Sequence, residues 1–144
     1  MTHAEQLLAI ALPFVWLGLL LGISALETPL KFRAPGITLA LGLGIGRLVF
    51  RALNRVEIVF AVVLTLIVAH RASGWPLAIA GLTDALLLAQ VLWLRPRLDR
   101  RALRIIEGGN APASSLHLVY IGLEAAKLVL LPLLGAGLVW RWIA

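Results

Sequence analysis

Long apolar segments are the feature that most constrains how this chain can fold. Four of them, at residues 7–26, 55–70, 75–94 and 116–142, approach or exceed the ~20 residues that an α-helix needs to cross a bilayer. The chain has 144 residues, and 61% of them are hydrophobic. A soluble domain is usually about half apolar. The sequence therefore predicts an all-α fold, an integral membrane four-helix bundle in which residues 1–144 form a single transmembrane domain.

Composition excludes several other classes of protein. Only 14% of the residues are charged and the mean hydropathy is +0.98, which argues against a soluble enzyme, a nucleic-acid-binding domain or a disordered chain. The chain contains no cysteine, so disulfides, thiolate metal sites and cysteine nucleophiles are excluded. The sequence pI of 11.4 comes from lysines and arginines that flank the apolar segments. We therefore expect no nucleic-acid partner.

The region before the second span is amphipathic. Arg47, Arg51 and Arg55 recur every fourth residue and so form one stripe on a helix. We predict an amphipathic interfacial helix over residues 38–54 that runs into the second span. The alternative is one long tilted helix whose arginines reach the lipid headgroups. A second interfacial helix is predicted over residues 97–107, because a proline discourages a helix from continuing past residue 96.

The distribution of basic residues predicts an orientation. Ten lysines and arginines lie in or beside the first and third connections, whereas only Arg71 and Arg141 lie on the opposite side. Basic loops stay in the cytoplasm. We therefore expect both termini outside and anionic lipids as partners at the cytoplasmic face.

Ionisable residues inside apolar spans are costly, and they usually face a bundle interior or a wet cavity. Five of them lie within or at the ends of the predicted spans: Glu27, Glu57, Asp84, Glu124 and Lys127. On the fourth span, His117 and Tyr120 share one helical face with Glu124 and Lys127. These seven residues are the predicted ligand-binding site.

The pairing of these charges is also predicted. Lys127 is the basic residue deepest in any span, and we expect it to pair with Asp84 or Glu124, with Asp84 as the best partner across helices. Glu27 or Glu57 is expected to pair with Arg47 or Arg51. Arg47, Arg51 and Arg55 are predicted to bind an anion or lipid headgroups. The alternative is that the buried charges only neutralise one another and fix helix packing.

Several segments resemble a known group of proteins. They are residues 26–36 (LETPLKFRAPG), 44–50 (GIGRLVF) and 94–101 (LRPRLDRR), followed by His117-Leu-Val-Tyr120 and Glu124-Ala-Ala-Lys127. Together they resemble small uncharacterised bacterial four-helix membrane proteins, distantly similar to the transmembrane-protein-205-like group. The resemblance implies a four-span fold in the bacterial inner membrane and implies no particular activity.

A second, partial resemblance involves residues 51–57 (RALNRVE). They are similar to the Arg-Ala…Asn-x-x-Glu pattern of the membrane-associated eicosanoid and glutathione metabolism proteins, although the Arg-Ala pair lies one residue closer to the asparagine. This resemblance implies a trimer that uses glutathione, with Asn54, Glu57 and Arg47 near the ligand.

These patterns lead to a leading function and two alternatives. The leading prediction is a cytoplasm-facing intramembrane polar pocket that binds or transports a small molecule, proton or ion. The first alternative is a non-catalytic accessory or structural subunit of a membrane complex, and the second is a glutathione-dependent transferase or isomerase. We expect no catalytic residue, no metal and no cofactor, and a homo-oligomer or a larger membrane complex as assembly.

Overall fold

The computed structural model describes residues 2–111 and 114–143, and these form four long helices with short connections. The helices are α1 (His3–Lys31), α2 (Leu39–Arg71), α3 (Trp75–Ile106) and α4 (Leu116–Trp142). No strand occurs in the described residues. All four helices are long and apolar enough to span a membrane, which indicates a multi-pass membrane protein.

Local sequence signals set the ends of the helices. Thr2 caps α1 by accepting from the amide of Glu5, whose carboxylate accepts in return from the amide of Thr2. Thr38 caps α2 in the same way through the amide of Leu41. Between α2 and α3, Gly74 has a φ of +74°, a conformation that glycine adopts without strain.

The helices pack as a closed up-down-up-down bundle. Helix α1 lies against α4 and α2, and α3 lies against α2 and α4. The first and third connections, with most of the lysines and arginines, lie at one end of the bundle, which we call the basic end. At the other end, called the opposite end, the Gln6 amide donates to the Trp142 carbonyl (2.8 Å) and Arg141 donates to Ser73 (2.9 Å).

Helix α2 is continuous from Leu39 to Arg71. The structure therefore has one helix where we predicted an interfacial helix over 38–54 and a crossing over 55–70, and it matches the long-helix alternative. Nothing in the stretch around Asn54 and Arg55 breaks a helix, because it contains no proline and no glycine. The arginine stripe is thus a feature of the first half of a single helix.

Helix α3 also continues past Pro96, so the predicted interfacial helix over 97–107 is not a separate element. Residues Ala89–Leu94 form a π-helical segment just before Pro96. In a regular α-helix the proline ring collides with the carbonyl four residues earlier, which here is that of Leu92. The wider π turn contains this carbonyl and accommodates the proline. Helix α1 repeats the arrangement with Leu21–Glu27 and Pro29.

The interior contains two apolar clusters along the bundle axis. One cluster lies toward the opposite end and is tightly buried: Ala9, Leu12, Leu64, Val68, Ala72, Ala80, Leu134 and Leu138. The second lies near the middle: Trp16, Leu20, Leu53, Ala61, Leu87 and Leu131. Large apolar side chains also cover the outside, as Leu48 (70% exposed), Leu92 (71%) and Val129 (60%) illustrate. An exterior of this kind suits contact with lipid.

Candidate functional site

Three ionisable side chains meet inside the bundle, near the middle of their helices. Lys127 of α4 places its Nζ 2.5 Å from Glu57 Oε1 of α2 and 3.0 Å from Glu124 Oε1, one turn earlier on its own helix. Lys127 and Glu57 are fully buried, and Glu124 is 6% exposed. We call these three residues the buried charge cluster.

Neutral side chains from the other two helices donate to this cluster. Trp16 Nε1 of α1 donates to Glu57 Oε1 (2.9 Å), and Gln90 Nε2 of α3 donates to Glu124 Oε1 (2.9 Å). Ser24 Oγ of α1 donates to Glu124 Oε2 (3.1 Å). All four helices thus contribute to the cluster, which fixes their relative rotation.

The two π-helical segments supply two of these three donors. Ser24 lies in Leu21–Glu27 and Gln90 lies in Ala89–Leu94, and both donate to the same carboxylate, Glu124. Single-turn π segments are frequent at functional sites because they redirect side chains that a regular helix would aim elsewhere. The irregular turns of α1 and α3 therefore coincide with the polar interior.

The cluster contains two carboxyl groups and one ammonium group, so its formal charge is −1 when all three are ionised. Several buried atoms around it also lack a hydrogen-bond partner among the residues that the structure describes. They are Glu57 Oε2, Gln90 Oε1, Asn54 Oδ1 and Tyr120 OH. An uncompensated charge and unpaired polar atoms in a buried place are both costly.

A cavity of about 600 Å³ opens between the helices at the basic end. Its polar lining is mainly basic, and its other walls are apolar, formed by side chains such as Phe32, Leu43 and Ile105. The polar and aromatic residues of the lining include Ser24, Lys31, Arg47, Phe50, Arg95, Asp99, Arg101 and His117.

One carboxylate of the cavity wall, Asp99, lies among three arginines, of which Arg47 and Arg95 also line the cavity. Its oxygens are 3.8 Å from Arg47 Nε, 3.5 Å from Arg51 Nη2 and 3.8 Å from Arg95 Nη2. A single negative charge cannot balance three positive ones. This part of the wall therefore has an excess of positive charge, which favours an anion.

Aromatic rings hold two of the cations in place. The Arg95 guanidinium lies over the rings of Phe50 (4.9 Å to the centroid) and Tyr120 (5.8 Å), and the Lys31 ammonium lies 5.7 Å from the centroid of Phe50. Phe50 and Tyr120 contact each other edge to face at 5.5 Å. Such stacking orients a guanidinium while leaving its donor edge free to bind an anion.

Ser24 connects the two parts of the site. It lines the cavity, and it donates a hydrogen bond to Glu124 of the buried charge cluster. The floor of the cavity is therefore one side chain away from the buried charges. Toward the opposite end, the tightly packed apolar cluster follows.

The structure brings together part of the predicted ligand-binding set. Glu57, Glu124 and Lys127 are in direct contact, and Tyr120 is buried one turn before Glu124. His117 is exposed and lines the cavity. Glu27 is half-buried and pairs with Lys31 (3.4 Å) instead of Arg47 or Arg51. Glu57 likewise pairs with Lys127 and with neither arginine.

The expected pair of Lys127 with Asp84 is wrong. Asp84 is half-buried and accepts a hydrogen bond from Thr65 Oγ1 of α2 at 2.5 Å. We inferred that pair from equal depth in the membrane, but depth does not determine how a helix is rotated. The buried face of α3 includes Thr83, Leu87 and Gln90, and Asp84 lies at its edge toward α2.

The three arginines of the stripe have different surroundings. Arg47 lines the cavity, Arg51 contacts Asp99 from outside with half of its side chain exposed, and Arg55 is exposed. Asn54 and Glu57 of the same helix face the bundle interior. The Arg-Ala…Asn-x-x-Glu segment therefore has its arginine outside and its asparagine and glutamate inside.

Several residues of the site were not predicted from the sequence. They are the neutral donors Trp16, Ser24 and Gln90, because only ionisable residues of the spans and their neighbours on one helical face were predicted as the site. A tryptophan near the centre of an apolar span, away from the aromatic belts, was a usable signal for Trp16. Arg95 was counted only for topology and Asp99 was noted only within the segment 94–101, yet both line the cavity.

In the described part of the chain, no three His, Cys, Asp or Glu residues are grouped so that they could hold a metal ion. No protein-family model matches this chain, and no curated protein or solved structure is detectably similar to it. The two resemblances noted in the sequence therefore stay predictions.

Proposed function

We propose that the protein binds a small organic anion with an apolar body in the basic-end cavity, and that it does so as an integral protein of the bacterial inner membrane. The observation that carries the proposal is the excess of positive charge around Asp99 in a cavity whose remaining walls are apolar. An anion beside Arg47 and Arg95 would take up this excess, and its apolar part would lie against side chains such as Phe32 and Ile105.

The proposed orientation places the cavity at the cytoplasmic face, with both termini outside. It rests on the ten lysines and arginines at the basic end against Arg71 and Arg141 at the other. The ligand then enters from the cytoplasm or from the inner leaflet. The same chemistry, a phosphate or carboxylate joined to an apolar group, is found in soluble metabolites and in anionic lipids.

The test is a binding measurement on purified protein in nanodiscs of neutral lipid, with naphthyl phosphate as the probe and naphthol as its uncharged control. We expect naphthyl phosphate to bind and naphthol to bind much more weakly. Arg95→Gln should weaken binding by at least about tenfold, since a charge-assisted hydrogen bond contributes ~1.5–3 kcal/mol. Arg55→Gln is the matched control, because this arginine is exposed and does not line the cavity.

Two further arms separate the sources of the ligand. Nanodiscs containing phosphatidylglycerol should displace naphthyl phosphate if a lipid headgroup occupies the cavity, and should leave its affinity unchanged if the ligand is a soluble metabolite. Equal binding of naphthyl phosphate to the wild type and to Arg95→Gln would refute the proposal. Complete absence of binding in both would favour the accessory-subunit alternative.

Glutathione serves as a separate ligand in the same assay. The glutathione-dependent alternative requires heat of binding that is lost in Asn54→Ala. We expect no such heat, because Asn54 is buried and neither Asn54 nor Arg51 lines the cavity.

A further inference from the structure

The net charge of the buried charge cluster is not explained by an anion bound in the cavity. Two carboxyl groups and one ammonium group share a volume from which solvent is excluded, and their charges sum to −1. Glu57 and Lys127 are 0% exposed. A net charge in the interior of a membrane-spanning bundle is strongly unfavourable, and such groups neutralise by binding or releasing a proton.

The hydrogen bonds distinguish the two carboxyl groups. Glu124 accepts a hydrogen bond on each of its oxygens, from Gln90 on Oε1 and from Ser24 on Oε2, and it forms an ion pair with Lys127. Glu57 receives Trp16 and Lys127, both on Oε1. Its Oε2 is buried and receives no hydrogen bond from the described residues. Hydrogen-bond donors stabilise the ionised form of a carboxyl group. Glu124 has a donor on both oxygens and Glu57 on one only, so ionisation is more favourable at Glu124 than at Glu57.

The groups that face Glu57 come from all sides of the bundle. Helix α1 presents Trp16, and α2 itself carries Asn54 one turn earlier. Helix α4 presents Lys127, with Glu124 and the buried Tyr120 nearby. From α3, Gln90 reaches the cluster through Glu124, whereas the carboxylate of Asp84 contacts α2 at Thr65 instead. Lys127 is thus the cation that both carboxyl groups share.

We propose that the buried charge cluster is a proton-binding site that holds one proton at neutral pH, on Oε2 of Glu57. The occupied cluster then contains neutral Glu57, ionised Glu124 and ionised Lys127, and its charge is zero. Releasing the proton leaves a charge of −1 and an unpaired oxygen inside the bundle. The site rests on the cluster alone and does not require the cavity to bind an anion.

The experiment is infrared spectroscopy of the full-length protein in nanodiscs, which detects the C=O stretch of a protonated carboxyl group. At neutral pH we expect a protonated carboxyl band that Glu57→Gln removes while the fold is retained, since the glutamine amide has nearly the shape of the neutral acid. Asp84→Asn is the matched control, because Asp84 is a second carboxyl group of the spans with a side-chain hydrogen bond. It should leave this band in place.

Two more variants test the charge balance and the assignment. Lys127→Met removes the shared cation, so neutrality then requires two protons, and the intensity of the band should about double. Trp16→Phe removes the donor to Glu57 and should move the band to higher frequency, whereas Ser24→Ala, which affects only Glu124, should not. Absence of a protonated carboxyl band at neutral pH would overturn the proposal. A sole band that disappears in Asp84→Asn would overturn it as well.

Discussion

The two ends of the bundle are built from the same four helices but differ in how they are filled. At the opposite end, small and branched apolar side chains such as Leu64, Val68 and Leu138 pack with almost no exposure. At the basic end, the helices enclose a cavity of about 600 Å³ with basic walls. The buried charge cluster lies between them. The difference indicates a site that is reached from one end and sealed toward the other.

Removing the shared cation should have the largest effect on stability. Lys127→Met leaves Glu57 and Glu124 buried without their common partner, and we expect a loss of ~3–5 kcal/mol in the free energy of unfolding. Chemical unfolding of detergent-purified protein measures it.

A double-mutant cycle locates the partner of Lys127. The combined loss of Lys127→Met and Glu124→Gln should fall well short of the sum of the single losses, because the double variant removes both charges of an ion pair. Lys127→Met combined with Asp84→Asn should be additive. The reverse pattern would show that Lys127 pairs with Asp84.

At the opposite end, removing a buried apolar side chain should lower stability and should not change ligand binding. Leu138 is fully buried in the apolar cluster, so Leu138→Ala should lower the free energy of unfolding by ~2–3 kcal/mol while the affinity for naphthyl phosphate stays the same. Leu133→Ala is the control, since Leu133 is 49% exposed, and should change stability by ~0.5 kcal/mol or less. A change in affinity in Leu138→Ala would mean that the two ends are not independent.

At the basic end, changing a charged residue of the cavity wall should mainly alter the affinity for the ligand. Asp99 competes with an incoming anion for Arg47 and Arg95, so Asp99→Asn should strengthen naphthyl phosphate binding by about three- to tenfold. Stability should change by ~1 kcal/mol or less, because the ion pairs are long and partly exposed. Weaker binding in Asp99→Asn would mean that the carboxylate is needed to hold the arginines in position.

The smallest expected effect concerns the outer face of the basic end. Arg55→Gln should lower the affinity for vesicles containing phosphatidylglycerol by ~1 kcal/mol or less and leave the fold intact. Vesicle co-sedimentation measures it. An unchanged affinity would show that Arg55 does not lie near the headgroups.

The helices and the presence of buried charges could be predicted from the sequence, whereas the contacts between helices could not. The four apolar helices follow from composition and length, because bilayer thickness dictates the length of a spanning helix. The presence of a buried charge centre at Lys127 and Glu124 follows from the cost of charges in apolar spans. Its exact partners do not follow, because the rotation of α3 decides whether Asp84 or Gln90 faces inward, and that rotation depends on packing among all four helices.

The continuity of α2 and α3 was harder to predict for a related reason. Charged residues and prolines often mark the end of a helix, but in this chain the helices continue through both. Pro29 and Pro96 follow π-helical turns that remove the clash, and the arginines of α2 face Asp99 or the outside. Ser24 in one of these turns and Arg95 directly after the other line the cavity, which was therefore not visible in the apolar pattern.

One measurement tests the central claim, that the polar interior is reached from the basic end only. The chain has no cysteine, so Ser24→Cys provides a single thiol at the junction of the cavity and the buried charge cluster. The protein is reconstituted into liposomes and treated with an impermeant thiol reagent from either side. We expect labelling of Ser24→Cys from the basic end, protection by naphthyl phosphate, and no labelling from the opposite end. Leu64→Cys, in the sealed apolar cluster, should react from neither side. Labelling of Ser24→Cys from the opposite end would contradict the account.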